Sequence, residues 1–81
     1  MRLRYHPRVA SQLADAPSAI RRAFDRKVEL LAQNLRHPSL RAKKYDEAHD
    51  IWQARVTKGW RLYFQIEDDM YTILSVTPHP K

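Results

Sequence analysis

Cysteine is absent from this chain, and glycine occurs only once among its 81 residues. Without cysteine the protein has neither a disulfide nor a thiolate metal site, and a reducing compartment is expected. No apolar run approaches the length of a membrane span or a signal-peptide core, so we expect a cytoplasmic protein without membrane contact. The sequence also lacks a P-loop, a Rossmann fingerprint, a nucleophile elbow and zinc-ligand spacing. No metal or other cofactor is therefore expected.

Negative charge is scarce as well. Nine Asp and Glu residues stand against fifteen Lys and Arg residues, which gives a formal net charge of +6 and a pI near 10.1. Such an excess favours binding to a polyanion, whether nucleic acid, an acidic protein or an anionic membrane surface, although it also serves solubility alone. A chain of 81 residues forms one domain, residues 1–81, whose core is small enough that a bound partner would add useful stability.

Helical periodicity occupies the first half of the chain. Residues 8–14 carry a short apolar stripe, which ends before Pro17. Proline suits the first turn of a new helix because its missing N–H costs nothing there. A second stripe has the spacing of one helix face, with the members Ile20, Phe24, Val28, Leu31 and Leu35. His37 precedes a proline and is expected to end this helix, so the sequence predicts an antiparallel helical hairpin.

The second half of the chain has the period of β-strands. Residues 60–67 alternate apolar and polar side chains, residues 52–56 do the same, and residues 70–77 are rich in β-branched and apolar types. The predicted fold class is α+β, with the N-terminal helical hairpin packed on one face of a small antiparallel twisted sheet. Residues 2–5 and 41–45 are candidates for further edge strands.

The register of the first β-hairpin decides where the arginines lie. A three-residue loop that ends at Gly59, with positive φ at the glycine, would pair Val56 with Trp60. Arg55 then lies directly opposite Arg61. We prefer this register because it collects the large apolar side chains on one face, which fixes register where one face is buried. A two-residue loop would oppose Trp60 to Arg55 and mix the faces.

Two arginines side by side on an open sheet face repel each other, by up to roughly 1 kcal/mol. An anion between them turns the repulsion into attraction, because each guanidinium offers a fork of donors that matches phosphate oxygens. The alternative is that Arg55 and Arg61 extend into solvent or pair with Glu67, Asp46 or Glu47. We interpret the pair as an anion site.

A histidine follows on the third strand of the predicted meander. If residues 67–69 form the second loop, Arg61 pairs with Ser75, and His79 lies on the same face. A two-residue turn at 68–69 would send His79 to the opposite face, and both arrangements stay open. Beside a phosphate a histidine can donate or accept a proton, since it titrates near neutrality. The alternative is a frayed histidine without a role.

The stretch WQARVTKGWRLYFQI, residues 52–66, resembles the core hairpin of toxins of the RelE/ParE superfamily, above all the RelE and YoeB mRNA interferases. In that pattern, basic residues on the first strand precede an aromatic-Arg-hydrophobic stretch on the second. The likeness extends to the helical hairpin with proline at its turn, the HPSLRAKK passage and the final SVTPHPK. It implies a RelE-like toxin of a type II toxin-antitoxin system, with a cognate antitoxin as partner.

The resemblance further implies a ribosome-dependent mRNA endoribonuclease, in which the 2′-OH of the RNA attacks the neighbouring phosphate without a metal. Arg61 corresponds to the arginine that contacts the scissile phosphate, and Arg55 to a basic residue of the preceding strand. His79 corresponds to the C-terminal histidine that serves as general acid in YoeB-like members. Lys43 and Lys44 are candidates to orient the nucleophile or lower its pKa.

Four more residues are candidate RNA contacts, namely Arg41, Lys58, Gln53 and Tyr63. The sequence departs from the family pattern at three points. Gln53 stands where RelE-like members carry a lysine, no tyrosine follows His79, and no residue matches the glutamate base of YoeB-like members. Two alternatives therefore stay open, a ParE-like inhibitor of DNA gyrase without enzymatic activity and an inactive relative that only binds an antitoxin.

Overall fold

The computed structural model describes residues 2–79, which form two α-helices and five β-strands. The helices are α1, Pro7–Ala14, and α2, Ser18–Gln33, and a 3₁₀ turn spans Pro38–Leu40. The strands are β1, Arg2–Tyr5; β2, Lys43–Asp46; β3, Ile51–Thr57; β4, Trp60–Glu67; and β5, Met70–Pro78. The predicted α+β class, with its helical hairpin packed on a small sheet, is confirmed.

The strands form one sheet in the order β1-β5-β4-β3-β2. The predicted meander of β3, β4 and β5 is antiparallel throughout, and β2 extends it as an antiparallel edge. Both candidate edge strands are present. At the other edge of the sheet, β1 pairs with β5 in the parallel direction, with Arg2 opposite Met70 and Tyr5 opposite Ile73. The sheet is therefore mixed, with an antiparallel centre.

Helix α2 buries the predicted apolar stripe but ends earlier than expected. Its last residue is Gln33, and Asn34 is extended, with φ of −158°. The Asn34 side-chain oxygen accepts a hydrogen bond from the Arg36 amide at 3.0 Å. This local bond competes with the helix, as asparagine side chains commonly do. Leu35, the last predicted member of the stripe, consequently packs against the core from outside the helix, and His37 plays no part in ending it.

The core lies between α2 and one face of the sheet. The sheet contributes the buried side chains Ala54, Val56, Leu62, Phe64, Tyr71, Ile73 and Val76. Helix α1 lies along the part of β5 that β1 leaves unpaired, where the Gln12 side chain accepts the Val76 amide at 2.8 Å. No helix formed by the described residues covers the other sheet face. In the stretch 2–79, no helix is long and apolar enough to cross a bilayer.

The β3–β4 hairpin confirms the predicted opposition of Arg55 and Arg61. The loop differs, because Trp60 pairs with Thr57 and not with Val56. Val56 and Thr57 thus oppose a single residue, which is the pattern of a β-bulge. The bulge absorbs the change of loop length, so the shorter turn does not mix the two faces.

Gly59 occupies this turn together with Lys58. The predicted positive φ at Gly59 is wrong, since the glycine has no such φ. Without positive φ the turn belongs to the types that splay flanking strands. The adjacent bulge increases the local twist, and this twist lets the pairing continue in register.

The β4–β5 hairpin turns through residues 68–69, which is the two-residue turn of the two arrangements that the sequence left open. Such a turn alone would have reversed the faces of β5. A second bulge, at Leu74, shifts the register again and restores them. Arg61 therefore pairs with Thr77 and not with Ser75, and Thr77 lies on the arginine face as predicted.

Candidate functional site

The uncovered sheet face holds a cleft of about 190 Å³, which we call the cationic cleft. Its lining consists of Arg41, Lys43, Gln53, Arg55 and Arg61. All of these residues were singled out from the sequence. Four carry positive charge and one is an amide, and no carboxylate from residues 2–79 lines the cleft. The composition suits an anion with several oxygen acceptors.

Three neighbouring strands hold this lining in place. Arg55 lies opposite Arg61 across β3 and β4, and Lys43 lies opposite Gln53 across β2 and β3. Residues directly opposite each other point to the same face, at a strand spacing of about 4.8 Å. The Gln53 side chain is buried, with the residue only 7% exposed. The cleft is therefore built on rigid strands with a buried amide at its floor.

Arg41 enters the cleft from a strained position. It follows the 3₁₀ turn in the left-handed conformation, with φ of 46° and ψ of 43°, and its amide donates to the Pro38 carbonyl at 3.3 Å. This conformation is uncommon for a residue other than glycine. Asp50 and Asp68 have positive φ as well and line neither cleft, so the conformation of Arg41 fixes where its side chain starts but does not by itself mark a site.

Arg61 is fastened by the turn that precedes it. Its Nη1 donates hydrogen bonds to the backbone carbonyls of Thr57 at 2.7 Å, Trp60 at 3.0 Å and Lys58 at 3.1 Å. The acceptors are neutral, so the guanidinium keeps its full charge while its orientation is fixed. None of these three bonds uses Nη2 or Nε. No sequence pattern predicts this role, because it depends on the bulged turn.

The electrostatics of the neighbourhood are repulsive. Burial lowers the pKa of Lys27, and the charges of Arg26 and Arg55 lower it further. The Lys27 ammonium donates to the Ser39 carbonyl at 3.1 Å, which compensates part of its lost hydration. Burial is the largest cause of this shift and Arg55 the smallest; the four cations that line the cleft are the direct reason to expect a potential that attracts anions.

Lys44 lies apart from the cationic cleft, although it was predicted beside Lys43. It pairs with Trp52 in the sheet, and its ammonium lies 5.1 Å from the Trp52 ring centroid. A hydrogen bond with the Asp50 carboxylate raises the pKa of Lys44, and the Asp50 and Glu47 charges also raise it, against desolvation. Of the two adjacent lysines, only Lys43 has the strand position that faces the cleft.

His79 and Lys58 lie near the β3–β4 turn, outside the cleft lining. The His79 amide donates to the Gly59 carbonyl at 2.7 Å, which extends the β4–β5 pairing by one residue. Both His79 and Lys58 are exposed. Because Thr77 pairs with Arg61, the alternation of the strand predicts that the imidazole projects to the same side as Arg61. For residues 2–79, no group of three or more metal-ligating side chains is present.

A second cleft, the tyrosine cleft, lies on the same sheet face and has a volume of about 480 Å³. It is lined by Arg8, Tyr45, Ile51, Tyr63, Leu74, Ser75 and Thr77. The rings of Tyr45 and Tyr63 meet edge to face, with centroids 4.9 Å apart. Burial raises the pKa of Tyr63, and Tyr45 adds to this against the opposing charge of Arg61, so its phenol stays neutral. Tyr63 was predicted from the sequence as an RNA contact, but Tyr45 was not. Tyr45 lies two residues after Lys43 on β2 and therefore shares its face, which is the pattern that could have identified it.

The sequence model for the ParE toxin of type II toxin-antitoxin system, parDE, matches residues 3–80. No curated protein matches the chain.

Solved structures share the fold. The RelE-RelB complex from Pyrococcus horikoshii OT3 superposes with a TM-score of 0.79 at 22% identity, covering 95% of this chain and 92% of the other. A YoeB/ParE toxin from Agrobacterium tumefaciens gives 0.80 at 8% identity, over 99% and 100% of the two chains. YafQ from E. coli strain BL21(DE3) gives 0.80 at 15% identity, over 98% and 94%. At these identities the likeness concerns the fold.

Proposed function

Because this chain belongs to the ParE toxin family of type II toxin-antitoxin systems, we propose that its cationic cleft binds an RNA phosphodiester and cleaves messenger RNA on the ribosome. One observation carries the proposal, namely the convergence of four cations and a buried amide on one open sheet face. A phosphodiester is an anion of matching size whose oxygens accept from several donors at once. The net charge of +6 would bring the protein to ribosomal RNA.

The proposed reaction is a transesterification within the RNA. The 2′-oxygen forms a bond to phosphorus, and the bond from phosphorus to the 5′-oxygen breaks, leaving a 2′,3′-cyclic phosphate and a 5′-hydroxyl. The transition state carries more negative charge on the phosphoryl oxygens than the substrate does. Arg55 and Arg61 would stabilise this charge from fixed positions, which is often the largest catalytic contribution.

Two proton transfers accompany the displacement. One proton leaves the 2′-hydroxyl, and another reaches the departing 5′-oxygen. Lys43 lines the cleft and would orient the 2′-hydroxyl or lower its pKa, while His79 would donate to the 5′-oxygen from the adjacent turn. Arg41 and Gln53 would hold neighbouring oxygens of the strand.

A second candidate function is non-enzymatic inhibition of DNA gyrase. It is favoured by the family that the chain matches, which is that of the ParE toxin, and by the absence of His79 from the cleft lining. A binder needs the cationic surface but no proton transfer. Under either function, a cognate antitoxin in the cytoplasm is the proposed partner, since several structures of the same fold are antitoxin complexes.

The deciding experiment measures mRNA cleavage on programmed ribosomes and gyrase supercoiling with the same purified protein. We expect the wild type to cut mRNA, and Arg55→Ala to cut it about 100-fold more slowly, the loss typical of one missing oxyanion donor. Arg22→Ala removes an exposed cation of α2 and should cut normally. Thermal unfolding of each variant controls for folding, above all for Arg61→Ala, which also releases the turn.

Two results would count against this proposal, the first against the nuclease activity and the second against the cationic cleft as its site. Intact mRNA together with inhibited supercoiling would establish the gyrase alternative. Cleavage that survives Arg55→Ala and Arg61→Ala would remove the cationic cleft from the reaction. Slower cutting by His79→Ala, with unchanged ribosome binding, would support a proton-transfer role for the imidazole.

A further inference from the structure

The tyrosine cleft and the cationic cleft share a border. Gln53 of the cationic cleft lies directly opposite Tyr63 of the tyrosine cleft. Arg61 and Thr77 form a second such pair across β4 and β5. Each pair spans one strand spacing, about 4.8 Å. A ligand bound over the arginines can therefore extend into the tyrosine cleft without leaving the sheet face.

The tyrosine cleft has a chemical character of its own. Tyr45 is 61% exposed, a large exposure for an aromatic side chain, yet its ring is supported by the half-buried Tyr63 ring. Ile51 and Leu74 add apolar surface, and Ser75 and Thr77 supply hydroxyl groups. An aromatic platform with hydroxyls at its rim is suited to a flat heteroaromatic ring, which needs both a stacking surface and hydrogen-bond partners.

We propose that the tyrosine cleft is a nucleobase subsite, in which a base adjacent to the phosphate in the cationic cleft stacks on Tyr45. This inference rests on the proposed function, because it takes RNA as the ligand. The hydroxyls of Ser75 and Thr77 would bond the base edge. Arg8, at the start of α1, would face the next phosphate or the base.

Charge and continuity select a nucleotide over a protein segment. Among residues 2–79, Arg8 is the one charged side chain that lines the tyrosine cleft, and the neighbouring cleft adds four more cations. A nucleotide carries a flat base and a charged phosphate within one residue. It can therefore place its phosphate in the cationic cleft and its base in the adjoining tyrosine cleft. A peptide would have to alternate acidic and aromatic side chains to match it.

The test compares two synthetic strands. One is a 2′-O-methyl RNA hexamer, which has no nucleophile and stays intact. The other is a hexamer with the same backbone but abasic at every position. Fluorescence anisotropy gives the Kd of each for the free toxin and for Tyr45→Ala, Tyr45→Phe and Tyr5→Ala. Tyr5 is the matched control, a tyrosine of β1 that is 47% exposed.

Tyr45→Ala should weaken binding of the hexamer by about 5- to 100-fold, the range for loss of one stacked base. The same variant should bind the abasic strand as the wild type does, within about twofold, because the phosphate contacts remain. Tyr45→Phe, which retains the ring, and Tyr5→Ala should bind the hexamer normally. Because Tyr45 is largely exposed, the alanine variant should remain folded, and circular dichroism checks this.

The outcomes separate this inference from the function on which it rests. If Arg55→Ala weakens both strands while Tyr45→Ala weakens neither, RNA binding stands and the base subsite is overturned. Equal weakening of both strands by Tyr45→Ala overturns it as well. If the wild type binds neither strand, the base subsite is overturned, while the proposed nuclease is still decided by mRNA cleavage on programmed ribosomes. Loss of antitoxin binding in Tyr45→Ala, with RNA binding unchanged, would assign the cleft to a protein partner instead.

Discussion

Replacing Arg41 by glycine should make the protein more stable and less able to bind RNA. Arg41 has φ of 46° and ψ of 43°, a conformation that costs about 1–2 kcal/mol for a residue with a Cβ atom. Glycine avoids this cost, but it lowers the stability by about 0.4–1 kcal/mol because it increases the conformational entropy of the unfolded chain. The midpoints of these two ranges leave a net gain of about 0.8 kcal/mol, or roughly 3–6 °C in Tm for a domain of this size.

Arg41→Ala is the matched variant. It removes the same charge, and hence the same repulsion within the cationic cleft, but it keeps the left-handed backbone. The difference in stability between the glycine and alanine variants in urea unfolding thus isolates the strain. Binding of the 2′-O-methyl hexamer should weaken equally in both. The slope of log Kd against log salt should fall by about 0.7, the value for one phosphate contact on a single strand.

Two results would refute this reasoning. If Arg41→Gly unfolds at the same urea concentration as Arg41→Ala, or at a lower one, the backbone at this position stores no strain. If the salt slope is unchanged in both variants, Arg41 contacts no phosphate. Arg41→Lys separates the effect of charge from that of geometry. It should keep the slope of log Kd against log salt but bind the hexamer more weakly, because lysine lacks the planar fork of the guanidinium.

Two further predictions concern the turns. Gly59→Ala should stabilise the protein by about 0.4–1 kcal/mol in urea unfolding, because φ is not positive and an added Cβ meets no atom within 4 Å; a loss of stability would indicate positive φ. The hydrogen bond from the His49 side chain lowers the pKa of Asp46 below its usual 3.8. The ionised Asp46 therefore adds to the free energy of unfolding above pH 3.8, and this stabilisation is lost as the pH falls through the lowered pKa. Acidification should then destabilise the wild type more than Asp46→Asn, and equal losses would contradict the assignment.

Much of the fold was accessible from the sequence because periodicity and burial agree. The stripe of α2 and the alternation of β4 each leave one arrangement that buries the large apolar side chains, and the opposition of Arg55 and Arg61 follows from it. Patterning also placed Gln53 on the arginine face. The part of the cationic cleft on β3 and β4 was therefore predictable once the register was fixed, whereas the position of Lys43 follows only from its pairing with Gln53.

The bulges were not predictable, and they explain each error in the register. Val56 and Leu74 are apolar residues within apolar strands, and nothing in their type shows that one residue in each strand is supernumerary. In the β3–β4 hairpin the bulge offsets a turn that is one residue shorter than predicted, so Arg55 still lies opposite Arg61. In the β4–β5 hairpin the bulge keeps Thr77 on the arginine face although the turn has only two residues.

The way in which Arg61 is held bears on how the cleft keeps its charge. A carboxylate partner would orient a guanidinium, but it would also neutralise it, as Asp50 does for Lys44 outside the cleft. Arg61 is oriented by three backbone carbonyls of its own turn, so its charge remains available to an anion. Because the bulge and the turn bring these carbonyls together, a change that straightens them should weaken anion binding while leaving every charged side chain in place. The anion-binding geometry of the cationic cleft therefore depends on the irregular backbone of the β3–β4 turn.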